Sequence, residues 1–261
     1  MSIPERVKPV LLFAALAVAL AGAGVGANVW KGGLKVGGVR VEGTRVLAEE
    51  EILRLAGVKR GEDLFAVDLF AVRDRVRANM YVREAAVKRD APDRIVIHVT
   101  ERTPAALLAG EPALYLDREG VVLPAARSRS LFDLPVISGA GAGVRLVPGS
   151  PARHPAVAEA LDILATAERI GDDAYRRISE VRLDGERDIV LYTAESGVPV
   201  VFGRGDVAVK LAKFEAFWRE VVRPVGAFAL EYVDLRYRDQ VVVRWKQAPP
   251  APGDSLAARS V

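Results

Sequence analysis

Side chains that do catalytic work are scarce in this 261-residue chain. It has no cysteine, so it offers no disulfide, no thiolate ligand and no thiol nucleophile. Its two histidines, His98 and His154, lie far apart in sequence, and neither has the neighbours that would orient a triad base. No HExxH or CxxC spacing is present for zinc. The glycines at 22–26 and 139–143 do not follow the strand–loop–helix pattern that cradles phosphate. Glu49-Glu50-Glu51 reads as the first turn of a helix, where the dipole favours negative charge, rather than as an acid/base pair. The chain therefore reads as a binding protein and not an enzyme, with no metal and no cofactor. Arg204-Gly205-Asp206 spells a cell-adhesion tripeptide, but it sits at a loop-to-helix junction and is taken as coincidence.

Binding chemistry is easier to find. Val241-Val242-Val243 near the end of the chain would form an edge strand if nothing pairs beyond it. An open edge presents unpaired N–H and C=O groups to a partner strand. Arg236, Tyr237 and Trp245 flank it, and Arg and large aromatics are the usual anchors of an interface. The other reading is that Tyr237 and Trp245 close the bottom of the core. The net charge of +3 is spread along the chain and does not argue for nucleic acid.

Residues 10–29 carry no charge and are long enough to cross a ~30 Å hydrocarbon core once. Arg6 and Lys8 precede the run, and a long C-terminal portion lies beyond it; together they predict an N-in, C-out topology. The run reads either as a retained anchor, with Trp30 at the interface, or as a signal peptide cut after Ala21-Gly22-Ala23. Gly22 and Gly26 have the small-xxx-small spacing of packed membrane helices, a spacing that an Ala/Gly-rich segment also meets by composition alone; weak self-association through this segment is the less favoured of the two readings.

After a Gly-rich spacer, the pattern predicts a strand at 39–42, a helix at 49–56 ended by Gly57, and a helix capped by Asp68. In the second helix Leu69, Val72, Val76 and Met80 face inward, while Arg73, Arg75 and Arg77 face water. Strands at 82–89 and 94–101 come next, with His98 on the more exposed face. A hairpin is predicted at 114–123, turning on Asp117-Arg118-Glu119-Gly120. Ser150 with Pro151 would start a helix running to Ile170, burying Val157, Leu161, Leu164 and Ala167, with His154 exposed in its first turn. Strands are expected at 178–184, 188–193 and 198–203. Asp206 would then cap a helix from 207 to about 222, with Leu211, Phe214, Trp218 and Val221 as its core stripe. Two strands within 230–245 close the ordered part, and the Pro/Ala-rich tail 247–261 is expected to be disordered.

The β-α-α-β-β order carries a resemblance. Val41-Glu42-Gly43, Glu50-Glu51-Ile52, Gly57-Val58, Gly61, Leu64-Phe65, Asp68, Tyr81-Val82, Val87, Arg89, Pro92-Asp93 and Val99-Thr100-Glu101-Arg102-Thr103-Pro104 are similar to a POTRA domain. The Asp117–Gly120 hairpin, the Leu134-Pro135-Val136-Ile137-Ser138-Gly139 step and Tyr232-Val233-Asp234-Leu235-Arg236-Tyr237 narrow this to the bacterial FtsQ/DivIB family. The resemblance implies an α+β chain: a 1–9 cytoplasmic tail, a transmembrane helix at 10–30, a POTRA domain at 36–104, and at 105–246 a second mixed α/β domain with a mostly antiparallel sheet. It implies an inner-membrane scaffold of the division machinery at the septum, binding FtsB- and FtsL-like proteins and through them the FtsW–FtsI septal peptidoglycan synthase. It implies that a partner strand adds to the last strands, with Arg236, Tyr237, Val241, Val243 and Trp245 at the contact. The loop between reads Asp239-Gln240 where some relatives carry Ser-Gly. A recruitment surface would lie on the strand with Val87 and Arg89, and the N-terminal segment would be retained. The alternative is a POTRA module of an outer-membrane assembly or secretion system, but about 150 residues with two amphipathic helices do not build the barrel such chains end in.

Overall fold

The computed structural model describes residues 16–21, 33–125, 132–140, 146–184 and 188–246. Of the apolar N-terminal run only 16–21 are among them. They are helical, with Leu16, Val18 and Leu20 exposed. No helix among the described residues is long and apolar enough to cross a membrane. The 1–9 tail, most of the expected 10–30 span and the 247–261 tail lie outside the described residues. The chain divides into two compact units, Met1–Glu101 and Arg102–Val261.

The first unit has the predicted order: β1 (Gly38–Glu42), α1 (Glu49–Ala56), α2 (Leu69–Arg77), β2 (Val82–Asp90) and β3 (Arg94–Glu101). β3 is the middle strand, parallel to β1 and antiparallel to β2. Gly57 takes the left-handed conformation that ends α1 (φ 63°) and donates its N–H to the Leu53 carbonyl. The Asp68 carboxylate caps α2, accepting from the Phe70 and Ala71 N–H groups at 2.9 and 3.1 Å. Val72 and Val76 are fully buried as the periodicity requires. Met80 is exposed because α2 stops at Arg77 and Met80 falls in the turn to β2. Arg75 does not simply face water: its guanidinium donates to the Ala56 carbonyl and so satisfies the C-terminus of α1. His98 is half-exposed, with Nδ1 3.1 Å from the carboxylate of Glu42, its register partner on β1.

The second unit holds β4 (Pro104–Leu108), β5 (Leu114–Asp117), β6 (Val122–Pro124), β7 (Val136–Ser138), α3 (Pro155–Ile170), α4 (Asp172–Arg176), β8 (Ile178–Asp184), β9 (Asp188–Thr193), β10 (Pro199–Val201), α5 (Val207–Phe217), β11 (Leu230–Asp234) and β12 (Val242–Trp245). One nine-stranded sheet runs β12-β11-β10-β9-β8-β7-β4-β5-β6. β10–β11, β7–β8 and β4–β7 are parallel pairs and the others antiparallel. Ala160, Ile163, Leu164 and Ala167 of α3 and Leu211 and Phe214 of α5 share a core with Ile137, Val181, Leu191, Val200 and Val233 of the sheet. Each large apolar side chain buried there contributes about 1.5–3 kcal/mol.

Three local expectations are corrected. The third helix begins at Pro155, not Pro151, because Ser150 and Pro151 are used elsewhere: the Val122 N–H donates to the Ser150 carbonyl and Pro151 bridges Val121. His154 consequently stands before the helix, half-buried, with no side-chain cap bond. Asp206 precedes α5 but is left-handed (φ 51°), and its carboxylate caps nothing. Beyond Phe217 the helix widens into a π-helical turn, Trp218–Val222. The extra residue per turn rotates the apolar stripe by one position, so Val222 is buried and Val221 is 41% exposed.

Candidate functional site

The two edges of the nine-stranded sheet differ. At β6 the chain covers its own edge: the Val122 N–H donates to Ser150 O (3.0 Å) and the Gly149 N–H to Val122 O (2.8 Å). At the other end, β12 pairs with β11 and with no further strand among the described residues. Its outer row of backbone groups is therefore of the kind that accepts an added strand. Side chains alternate along it. Val241 just before the strand and Val243 and Trp245 on it are half-buried and pack against the core, whereas Arg244 is exposed, 3.1 Å from Glu231 of β11.

The loop leading into this strand is held at several points. β10 and β11 run parallel, and the Leu235 N–H continues the ladder to the Val201 carbonyl at 2.9 Å. The Arg236 side chain then folds back on Asp234, with Nη2 2.7 Å from Oδ2 and Nε 3.0 Å from Oδ1, and reaches Asp188 with Nη1 at 3.2 Å. The Arg236 backbone N–H also donates to Asp234 Oδ1 at 3.0 Å. Burial would raise the Asp234 carboxyl, but these hydrogen bonds outweigh it and hold the group below the ordinary 3.8. The same bonds make Arg236 hold its proton more tightly still. Its aliphatic stem crosses Gly203, where a Cβ would meet Arg236 Cγ at 2.8 Å; at φ 70° the position suits glycine alone. From α5, Lys213 Nζ donates to the carbonyls of Tyr237 (2.7 Å) and Arg238 (2.9 Å). Tyr237 itself is left 48% exposed.

Of the residues singled out on sequence, Arg236, Tyr237, Val241, Val243 and Trp245 thus come together on one hairpin. Tyr237 and Trp245 part company: the first is exposed, and the second is half-buried and packs on the core. Arg236 is half-exposed but is already engaged by Asp234 and Asp188. Val87 and Arg89 belong to the other unit, on β2, an edge of its three-stranded sheet. Arg89 is a staple there. Its guanidinium donates to the carbonyls of Leu64, Phe65 and Val67 and lies 5.4 Å over the Phe65 ring. Val87 lines a shallow groove of about 320 Å³ between α2 and β2, with Leu69, Phe70, Arg73, Ala85 and Ala86. Phe70 is 70% exposed beside it.

Sequence reasoning missed Lys213, Asp188 and Gly203, which carry no motif of their own. The Asp234–Arg236 spacing on alternate residues was the one signal within reach. Arg204 and Gly205 of the adhesion-like tripeptide have a local use: the Arg204 guanidinium and the Gly205 N–H donate to Glu159 of α3 at 2.9 and 2.8 Å. Among the described residues no group of His, Cys, Asp and Glu is disposed to hold a metal ion.

Comparison with known proteins gives two family-model matches. Residues 34–102 match the POTRA domain, FtsQ-type, and residues 106–236 match the C-terminal region of cell division protein FtsQ/DivIB. The chain is 30% identical to Cell division protein FtsQ of Geotalea daltonii over 79% of its own length and 74% of the relative's. It is 32% identical to the FtsQ of Syntrophotalea carbinolica (80% and 73%) and 33% identical to that of Salinibacter ruber (82% and 84%).

Proposed function

The chain belongs to the FtsQ/DivIB family of cell division proteins, and from that premise we propose that it is a non-enzymatic divisome scaffold that docks a partner strand on β12. The partners are FtsB- and FtsL-like division proteins, through which it helps control septal peptidoglycan synthesis by FtsW–FtsI. The observation that carries the reading is the asymmetry of the sheet. The chain covers its β6 edge with its own backbone at Gly149-Ser150, and the β12 edge has no such cover among the described residues. A strand added to β12 gains main-chain hydrogen bonds, while Val241, Val243 and Trp245 offer apolar contact on one face and Tyr237 at the rim. Arg236, already paired, acts first through the loop it holds.

The apolar run at 10–30 is proposed as a retained, single-pass inner-membrane anchor, with both units on the extracytoplasmic side. The groove beside β2, with Val87 and Phe70, is proposed as a second contact surface used for recruitment, and Arg89, on the same strand, ties the segment 64–67 that precedes α2.

Capture from membranes of the source bacterium tests this. Full-length chain as bait should recover FtsB- and FtsL-like coiled-coil proteins. Tyr237→Ala and Trp245→Ala should reduce recovery at least several-fold with an unchanged circular dichroism spectrum. Recovery of outer-membrane assembly components instead would transfer the chain to the alternative POTRA role, and full recovery by both variants would move the site off β12.

A further inference from the structure

We infer that Lys213 is a positioning residue for the docking edge: from α5 it fixes the loop 236–241 so that β12 is presented already in register. The inference rests on reading β12 as the docking edge.

The Lys213 ammonium lies within hydrogen-bond distance of two consecutive main-chain carbonyls, Tyr237 at 2.7 Å and Arg238 at 2.9 Å, and makes no ion pair among the described residues. Two carbonyls in a row on a short loop would otherwise turn to water, and the loop would sample several paths. With both held, the backbone that leads from β11 into β12 is tied to a helix that is itself anchored in the core through Leu211 and Phe214. Lys210, three residues earlier on α5, does the matching work for the neighbouring loop. Its Nζ donates to the Arg204 carbonyl at 2.6 Å and lies 5.2 Å over the Phe202 ring. Successive lysines of one helix thus tie down the loops that come after the two parallel strands β10 and β11. Arg236, crossing Gly203, joins the same two loops directly. Strand addition gains most when the receiving edge is ordered beforehand, because no ordering cost then opposes binding.

The test uses the full-length chain with Lys213→Met, which keeps the stem and removes the donors, and Lys213→Arg, which restores them. Lys213→Met should speed amide exchange at 237–241 and tryptic cleavage after Arg238 by on the order of tenfold, with exchange in β9 and β10 unchanged. It should weaken capture of the FtsB-like partner by about three- to tenfold, and Lys213→Arg should recover both readouts. Unchanged exchange and cleavage in Lys213→Met would overturn the inference, as would a loosened loop with capture at full strength. Trp245→Ala run in parallel separates the two failures. If it abolishes capture while Lys213→Met does not, only the role of Lys213 falls; if neither reduces capture, the docking edge falls and the inference with it.

Discussion

Asp234 and Arg236 stand two residues apart, and their pairing shows how the conspicuous Tyr232–Tyr237 stretch works. Asp234 is buried and its carboxylate is satisfied almost wholly by one arginine. Removing the charge with Asp234→Asn should lower stability by about 1–3 kcal/mol in chemical denaturation, the usual cost of losing charged hydrogen bonds at a buried acceptor. The pH dependence has a definite sign. A carboxyl held below its ordinary value binds its proton less tightly in the folded chain than in the unfolded one. Its stabilisation is therefore full above the ordinary value of 3.8 and is lost as the pH falls through the lower, folded value. The melting temperature of the native chain should drop more steeply than that of Asp234→Asn over that acid window. The sequence displayed the pair plainly. It gave no sign of Asp188, 48 positions away, or of Gly203 beneath the arginine stem, because both are brought in by sheet register alone.

At the level of elements, the strands and helices of the first unit were legible because alternation, Asp68 and Gly57 all pointed the same way. The helices of the second unit were legible in place but not in detail. Helical spacing from Leu211 through Trp218 points to Val221, and a π-helical turn, which has no sequence mark, moves the buried position to Val222. Val222→Asp should therefore unfold or severely destabilise the unit, whereas Val221→Asp should shift stability by no more than about 0.5 kcal/mol. Equal effects in thermal melts would contradict the shifted register. Pro151 after Ser150 imitated a helix start, but the segment is used to cover the β6 edge, a demand of tertiary structure that no local rule contains. The short strands β4 and β7 were missed for a similar reason: each is defined by its neighbours more than by its own pattern.

At the level of the whole molecule, the two family matches cover both compact units and place the chain among the FtsQ/DivIB cell division proteins. Retention of the 10–30 run makes a simple prediction: intact mass of the chain extracted from membranes should include residues 1–30. A mature N-terminus near Asn28 would instead mean a cleaved signal. The proposed docking of a partner strand on β12 is tested most directly by site-specific photo-crosslinking in dividing cells. p-Benzoyl-phenylalanine would replace Arg244 on β12 in one strain and Pro124 on β6 in another. A crosslink to an FtsB-like division protein is expected from position 244 and none from position 124. A crosslink from 124 with silence at 244 would contradict docking on β12.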